Sequence, residues 1–109
     1  MKQIDFNKVP TPSYIVDERL LIKNLEILKN VMDRTGAKIL LAQKAFSMFL
    51  VYPLIAEYLC GTTASGIFEA KLGYEEMGKP FGKETHVFAP AYKESEMKEL
   101  VKICDHIVF

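Results

Sequence analysis

The sequence lacks any excess of one charge, since its 109 residues include 14 basic and 14 acidic side chains. Proteins that hold nucleic acid or an anionic membrane surface by electrostatics need a basic patch, which this composition does not supply. A long apolar run is also missing: the most hydrophobic stretch, residues 46–56, is interrupted by Ser47 and Pro53 and is too short to cross a bilayer. We therefore expect no nucleic-acid partner and no membrane.

Cysteine is scarce, and the two present, Cys60 and Cys104, do not have the spacing of a metal-binding pair. The first residues lack the continuous apolar core of a secretory signal. We predict a cytoplasmic protein in which both thiols are reduced.

The composition of the chain is typical of a globular protein, with 50% hydrophobic and 26% charged residues, and its length suits one domain. Residues 1–17 are predicted to form an extended lead-in, because Pro10-Thr11-Pro12 disfavours helix, with a short strand at Ser13–Val16. Asp17 is a suitable N-cap and Gly36 a suitable C-cap for an amphipathic helix. Its apolar face carries Leu21, Leu25, Leu28 and Met32.

Strands then alternate with helices. The predicted strands are Ile39–Ala42, Thr62–Ser65, Thr85–Ala89 and one that begins at Asp105. The predicted helices are Val51–Leu59, Ile67–Met77, followed by a turn at Gly78–Gly82, and one that Ser95 could cap. This alternation is typical of an α/β fold with a parallel sheet. We interpret residues 18–109 as part of a (β/α)8 TIM barrel, roughly its first four strands; a flavodoxin-like sheet could begin in the same way.

Lys44 is the leading candidate for chemistry. It follows directly after the apolar run that ends at Gln43, at the carboxyl end of a predicted strand. In a barrel, the carboxyl ends of the strands line the active site. An amine that loses hydration there becomes a better nucleophile, as a Schiff-base lysine requires. The alternative is an ordinary lysine that reaches into solvent.

A second candidate is the run from Gly61 to Gly66, which would lie on the same rim as Lys44. Thr63 and Ser65 are small and hydroxylated, so they could admit a flat ring and bind it by hydrogen bonds. Glu69 follows in the next helix and could pair with Lys44 or with a substrate amine. Alternatively, Ser65 only caps this helix and Glu69 only favours its dipole.

Other polar residues have weaker claims. His86 and His106 show no partner at metal-ligand spacing, so we predict core or surface histidines and no metal site. Tyr92 could contact a ligand or pack on the rim. No phosphate-binding glycine motif is present.

Four segments resemble those of the carboxynorspermidine/carboxyspermidine decarboxylases, which are fold-type III, alanine-racemase-like enzymes that use pyridoxal phosphate. They are Pro12-Ser13-Tyr14-Ile15-Val16-Asp17, Leu41-Ala42-Gln43-Lys44-Ala45-Phe46-Ser47, Gly61-Thr62-Thr63-Ala64-Ser65 and Phe68-Glu69-Ala70-Lys71-Leu72-Gly73. Gln43 and Ala45 depart from the commonest pattern of that family, which has Leu and Cys there. The match covers nearly the whole chain but only the N-terminal third or so of such an enzyme.

This resemblance implies that Lys44 forms the Schiff base with pyridoxal 5'-phosphate, that Glu69 is a catalytic carboxylate, and that Thr63 and Ser65 line the site. It implies a carboxylated polyamine as substrate and a homodimer as the full-length enzyme. The phosphate loop would lie beyond Phe109, so we expect 109 residues alone to be inactive. The alternatives are another fold-type III decarboxylase or racemase, and a non-catalytic partial barrel that acts as a scaffold.

Overall fold

The computed structural model describes residues 3–109, so the first two residues of the predicted lead-in lie outside the described part. A parallel sheet of four strands forms its centre. The helices and strands are α1 Glu18–Thr35, β1 Leu40–Ala42, α2 Tyr52–Ala56, β2 Gly61–Ala64, α3 Ile67–Gly73, α4 Lys79–Phe81, β3 Glu84–Phe88, α5 Glu94–Ile103 and β4 His106–Val108. Within residues 3–109, no helix has both the length and the apolar character that a membrane crossing requires.

The strand order distinguishes between the two predicted folds. The strands lie in the order β1-β2-β3-β4, and each pairs in parallel with the next one along the chain. A flavodoxin-like sheet would instead place its first strand between the second and third. The sequential order is that of a barrel, so the predicted partial (β/α) barrel is confirmed and the flavodoxin-like alternative is wrong.

Within residues 3–109, helices cover one face of the sheet and leave the other uncovered. Thr85 and Val87 are fully buried on that face, where Val87 packs with Ile67 and Leu100 of the flanking helices. The opposite face, which we call the open face, carries the alternate residues of each strand, and Phe88 there is 57% exposed. One row of register partners crosses the open face from β1 to β4: Ala42, Thr63, His86 and His106.

The first helix forms as its sequence predicts. Asp17 accepts a hydrogen bond from the backbone N–H of Arg19, and Gly36 ends the helix with a left-handed φ of 74°. Leu25 and Met32 are buried, and they pack in the core with Tyr52 and Ile55 of α2. The predicted apolar face is therefore the one that joins α1 to the rest of the domain.

A turn was predicted at Gly78–Gly82, but the chain there remains helical. A π-helical turn, Tyr74–Gly78, joins α3 to α4, and the left-handed Gly82 (φ 64°) then ends the run. A Cβ on Gly73 would come within 2.2 Å of the Thr62 Oγ1 atom. Gly73 is thus needed because α3 approaches the sheet closely at this position.

Three further predictions of local structure were wrong. Residues 13–16 form no strand, since no other described strand pairs with them and Tyr14 is 99% exposed. The second helix is shorter than predicted, because Phe49–Val51 form a 3-10 turn and α2 ends at Ala56. The last helix begins at Glu94 with Lys93 as its N-cap, so Ser95 lies inside the helix and does not cap it.

Candidate active site

Lys44 lies in a turn immediately after β1, at the carboxyl edge of the sheet. The backbone N–H of Ala45 donates to the carbonyl of Ala42 at 3.0 Å, which turns the chain away from the strand. Lys44 lines a cleft of about 190 Å³ whose other residues are Ala42, Thr63, Ala64, Ser65 and Phe88. The structure thus brings together three of the predicted site residues, from the ends of two neighbouring strands.

The environment of Lys44 differs from the prediction. The residue is exposed, and within residues 3–109 its amine forms no ion pair with a carboxylate. The expected loss of hydration is therefore absent, because the open face of the sheet is uncovered above the cleft. Desolvation of this amine would require atoms that the described residues do not provide.

Glu69 stabilises the turn beside the cleft and does not pair with Lys44. Its Oε1 accepts a hydrogen bond from the backbone N–H of Ser65 at 2.9 Å. The N-cap of α3 is Gly66, which has no side chain to offer, so the prediction that Ser65 could cap this helix was wrong. The Glu69 carboxylate performs part of the capping task instead, by binding a free N–H that precedes the helix.

Gln43 is a structural determinant of the site that sequence reasoning missed. It is 1% exposed, its Nε2 donates to the Glu69 carbonyl at 2.9 Å, and its Oε1 accepts from the Tyr52 hydroxyl at 3.1 Å. Burial raises the pKa of Tyr52 to about 12, so this phenol remains a donor. The signal in the sequence was an amide at the end of an apolar strand, because a buried amide needs hydrogen-bond partners.

The two histidines also lie together, contrary to the prediction that they have no metal-ligand partner. His86 and His106 are register partners on β3 and β4, and their ring centroids are 4.4 Å apart. Nε2 of His86 lies 2.8 Å from Oε2 of Glu84, and Lys38 binds the other oxygen of the same carboxylate. The Lys38 ammonium and then His86 lower the pKa of Glu84 to about 2.

Tyr92 packs on the rim, which is the second of its two predicted alternatives. Its hydroxyl accepts from the backbone N–H of Ala89 at 2.9 Å and donates to the Val108 carbonyl at 2.6 Å. These bonds link the ends of β3 and β4. The hydroxyl is thus engaged in holding the sheet.

Comparison with known proteins gives a consistent result. The chain is 41% identical over 93% of its length to carboxynorspermidine/carboxyspermidine decarboxylase from Herminiimonas arsenicoxydans, and 43% identical over 95% to that from Campylobacter jejuni. The predicted resemblance is confirmed. The chain is also 34% identical over 94% of its length to carboxyaminopropylagmatine decarboxylase from Synechocystis. No family model matches the chain.

The fold agrees with the sequence comparison. The crystal structure of Campylobacter jejuni carboxynorspermidine decarboxylase, complexed with norspermidine, superposes with a TM-score of 0.86 at 44% identity. The superposition covers 93% of this chain and 26% of that one. The chain spans about a quarter of the length of the curated decarboxylases that it matches, with 27% of the first and 26% of the second.

Proposed function

We propose that this chain supplies the cofactor-binding lysine of a pyridoxal-phosphate-dependent decarboxylase of carboxylated polyamines. The observation that carries the proposal is the position of Lys44 at the carboxyl end of β1, in a cleft shared with Thr63 and Ser65. The proteins that the chain resembles are decarboxylases, and polyamine precursors appear in their names.

The residues of the cleft fit pyridoxal phosphate. Its lining includes the small side chains of Ala42, Thr63 and Ser65, which leave room for a flat ring, and Phe88 supplies an aromatic surface. Lys44 forms no ion pair within the described residues, so its amine is available to bind an aldehyde. When bound, pyridoxal phosphate supplies an electron sink for the loss of carbon dioxide.

The chain's own residues would perform three tasks. Lys44 would hold the cofactor through Nζ and, when that amine is released, could transfer a proton from the same atom, because Lys44 lines the cleft. The hydroxyls of Thr63 and Ser65 would orient polar groups of the cofactor or substrate in the cleft by hydrogen bonds. Glu69 keeps the Ser65 turn in place through the hydrogen bond at 2.9 Å, and we propose its carboxylate as the second catalytic group.

The substrate class and assembly are parts of the same proposal. Carboxynorspermidine, carboxyspermidine and carboxyaminopropylagmatine each combine a carboxylate with a polyamine chain, so release of carbon dioxide should be assayed with all three. We further propose a homodimer, as the resemblance implies, and a cytoplasmic location, which the two isolated cysteines favour. Sedimentation of the full-length protein would measure its oligomeric state.

Reductive trapping tests the role of Lys44 directly. Pyridoxal phosphate is added to the protein, borohydride reduces the linkage, and peptide mass mapping locates the adduct. We expect the adduct on the peptide that contains Lys44, and its loss in Lys44→Arg, because a guanidinium does not condense with an aldehyde under these conditions.

Lys71→Arg is the matched control, because Lys71 lies outside the cleft and pairs with Glu99 at 2.6 Å. This variant should retain the adduct. Uniform labelling of all exposed lysines would contradict the proposal and favour a non-catalytic partial barrel. Carbon dioxide release is assayed on the full-length enzyme, because 109 residues alone are expected to be inactive. Trapping at Lys44 in a full-length enzyme that releases no carbon dioxide from any of the three substrates would leave the cofactor role intact and reject the substrate class.

A further inference from the structure

A second group of chemically versatile side chains lies on the open face. His86 and His106 occupy matched positions on neighbouring parallel strands, so their rings project from the same face and lie 4.4 Å apart. Glu84 is two residues before His86 on the same strand and therefore shares that face. The candidate ligand atoms of these three residues all lie within 4.8 Å of one another.

We propose that Glu84, His86 and His106 form a binding site for a divalent transition-metal ion of the zinc class. Two imidazole nitrogens and one carboxylate oxygen are a ligand set that Zn²⁺ accepts while it keeps a further position for water. Because the candidate ligand atoms already lie within 4.8 Å of one another, side-chain rotations would bring the three donors around one ion. The ion would replace the contact of 2.8 Å between His86 Nε2 and Glu84 Oε2.

Lys38 is compatible with this site and helps to determine which ion it favours. Its ammonium binds Oε1 of Glu84, which leaves Oε2 for the metal, and ligating carboxylates usually accept such an additional hydrogen bond. The positive charge opposes an incoming cation. It therefore disfavours Ca²⁺ and Mg²⁺, which depend on oxygen ligands, more than a transition metal that bonds strongly to imidazole.

The site would cross-link β3 and β4 next to the candidate active site. Thr63, which lines the Lys44 cleft, is the register partner of His86. A metal bound here would therefore lie on the strand next to the one that carries Thr63 of the cleft. It is proposed independently of the decarboxylase function, since neither Lys44 nor Glu69 contributes a ligand.

Cobalt provides a direct probe, because Co²⁺ replaces Zn²⁺ in such sites and absorbs visible light with an intensity that reports its coordination. The full chain is titrated with Co²⁺ at pH 7.5, and Zn²⁺ is then added in competition. We expect one Co²⁺ per chain and its displacement by Zn²⁺. The chain has only two histidines, so zinc-induced shifts of the imidazole nitrogen resonances should affect both.

His106→Asn is the decisive variant, because His106 is exposed and its loss should leave the fold intact, as circular dichroism would verify. We expect at least tenfold weaker Co²⁺ binding in His106→Asn and in Glu84→Gln. The control Glu99→Gln, which alters a carboxylate of α5 outside the cluster, should bind as the unmodified chain does. Unchanged binding in His106→Asn would overturn the proposal. A thiolate charge-transfer band, or the absence of saturable visible absorption, would overturn it too.

Discussion

The side-chain amide of Gln43 donates to the backbone carbonyl of Glu69 at 2.9 Å. This bond joins the residue that precedes Lys44 to the first turn of α3. The backbone N–H of Gln43 also donates to the backbone carbonyl of Thr63 at 3.1 Å, so the same residue extends the pairing of β1 with β2. The relative positions of Lys44, Thr63 and Glu69 thus depend on one buried amide.

Replacement of Gln43 by Leu should lower the free energy of unfolding by about 1–3 kcal/mol, because it leaves the Glu69 carbonyl and the Tyr52 hydroxyl without their partner. Chemical denaturation measures this loss. We also expect slower trapping of pyridoxal phosphate on Lys44, since the turn that carries the lysine is less well fixed.

Two variants test whether the hydrogen bonds cause this effect. Tyr52→Phe removes one donor, and its effect should not add to that of Gln43→Leu in a double-mutant cycle. Gln3→Leu replaces an exposed glutamine and should change stability by less than about 0.5 kcal/mol. Equal losses in Gln3→Leu and Gln43→Leu would exclude the proposed network as the cause.

Gly73→Ala should destabilise the protein although alanine favours helix. The new Cβ would lie 2.2 Å from Thr62 Oγ1 and 2.9 Å from Gln43 Nε2. Overpacking of this kind costs about 1–3 kcal/mol, whereas the gain in helix propensity is only about 1 kcal/mol. Thermal or chemical unfolding should therefore show a net loss of stability.

Gly66→Ala is the matched control, because no atom of the described part of the chain lies within 4 Å of a Cβ at that position. The stability of this variant should fall only by what alanine costs at an N-cap, and Thr62→Ala should not restore that loss. Thr62→Ala should partly rescue Gly73→Ala, since it removes an Oγ1 atom that is buried and has no hydrogen-bond partner among residues 3–109. Failure of this rescue, with Gly73→Ala still destabilised, would show that the clash is not with Thr62.

Glu84 should make the protein sensitive to acid. Its pKa is lowered from 4.5 to about 2 by the Lys38 ammonium and by His86. A carboxylate with a depressed pKa in the folded state stabilises that state above its unfolded pKa, and the contribution disappears as the pH falls through the folded value. We therefore expect the stability difference between the unmodified chain and Glu84→Gln to shrink from pH 5 towards pH 2.

Urea denaturation at several pH values measures this difference. Lys38→Met removes the largest cause of the shift, so it should raise the pKa of Glu84 and move the acid-sensitive range upward. A difference between the unmodified chain and Glu84→Gln that is constant from pH 5 to pH 2 would contradict the proposed ion pair.

Local patterns account for the predictions that were confirmed. The helical spacing of Leu25 and Met32, with Asp17 and Gly36 at the ends, specified α1 because each signal acts within a few residues. Predictions for short segments were less accurate: the strand expected at Ser13–Val16 does not form, since a strand requires a partner that no local pattern can supply. The chain remains helical through Gly78 because it packs against the sheet there. The local sequence, which is rich in glycine and proline, predicts a turn instead.

The sequence by itself determined the alternation of strands and helices and the location of Lys44 at a strand end, because both follow from periodicity and chain order. Only the tertiary structure decided which distant residues meet. His86 and His106 are twenty residues apart, and their pairing depends on the register of β3 against β4. The burial of Gln43 likewise depends on Tyr52 and Glu69, which arrive from two different helices. Contacts of this kind arise from packing between helices and strands that are distant in the chain, so no short stretch of sequence can predict them.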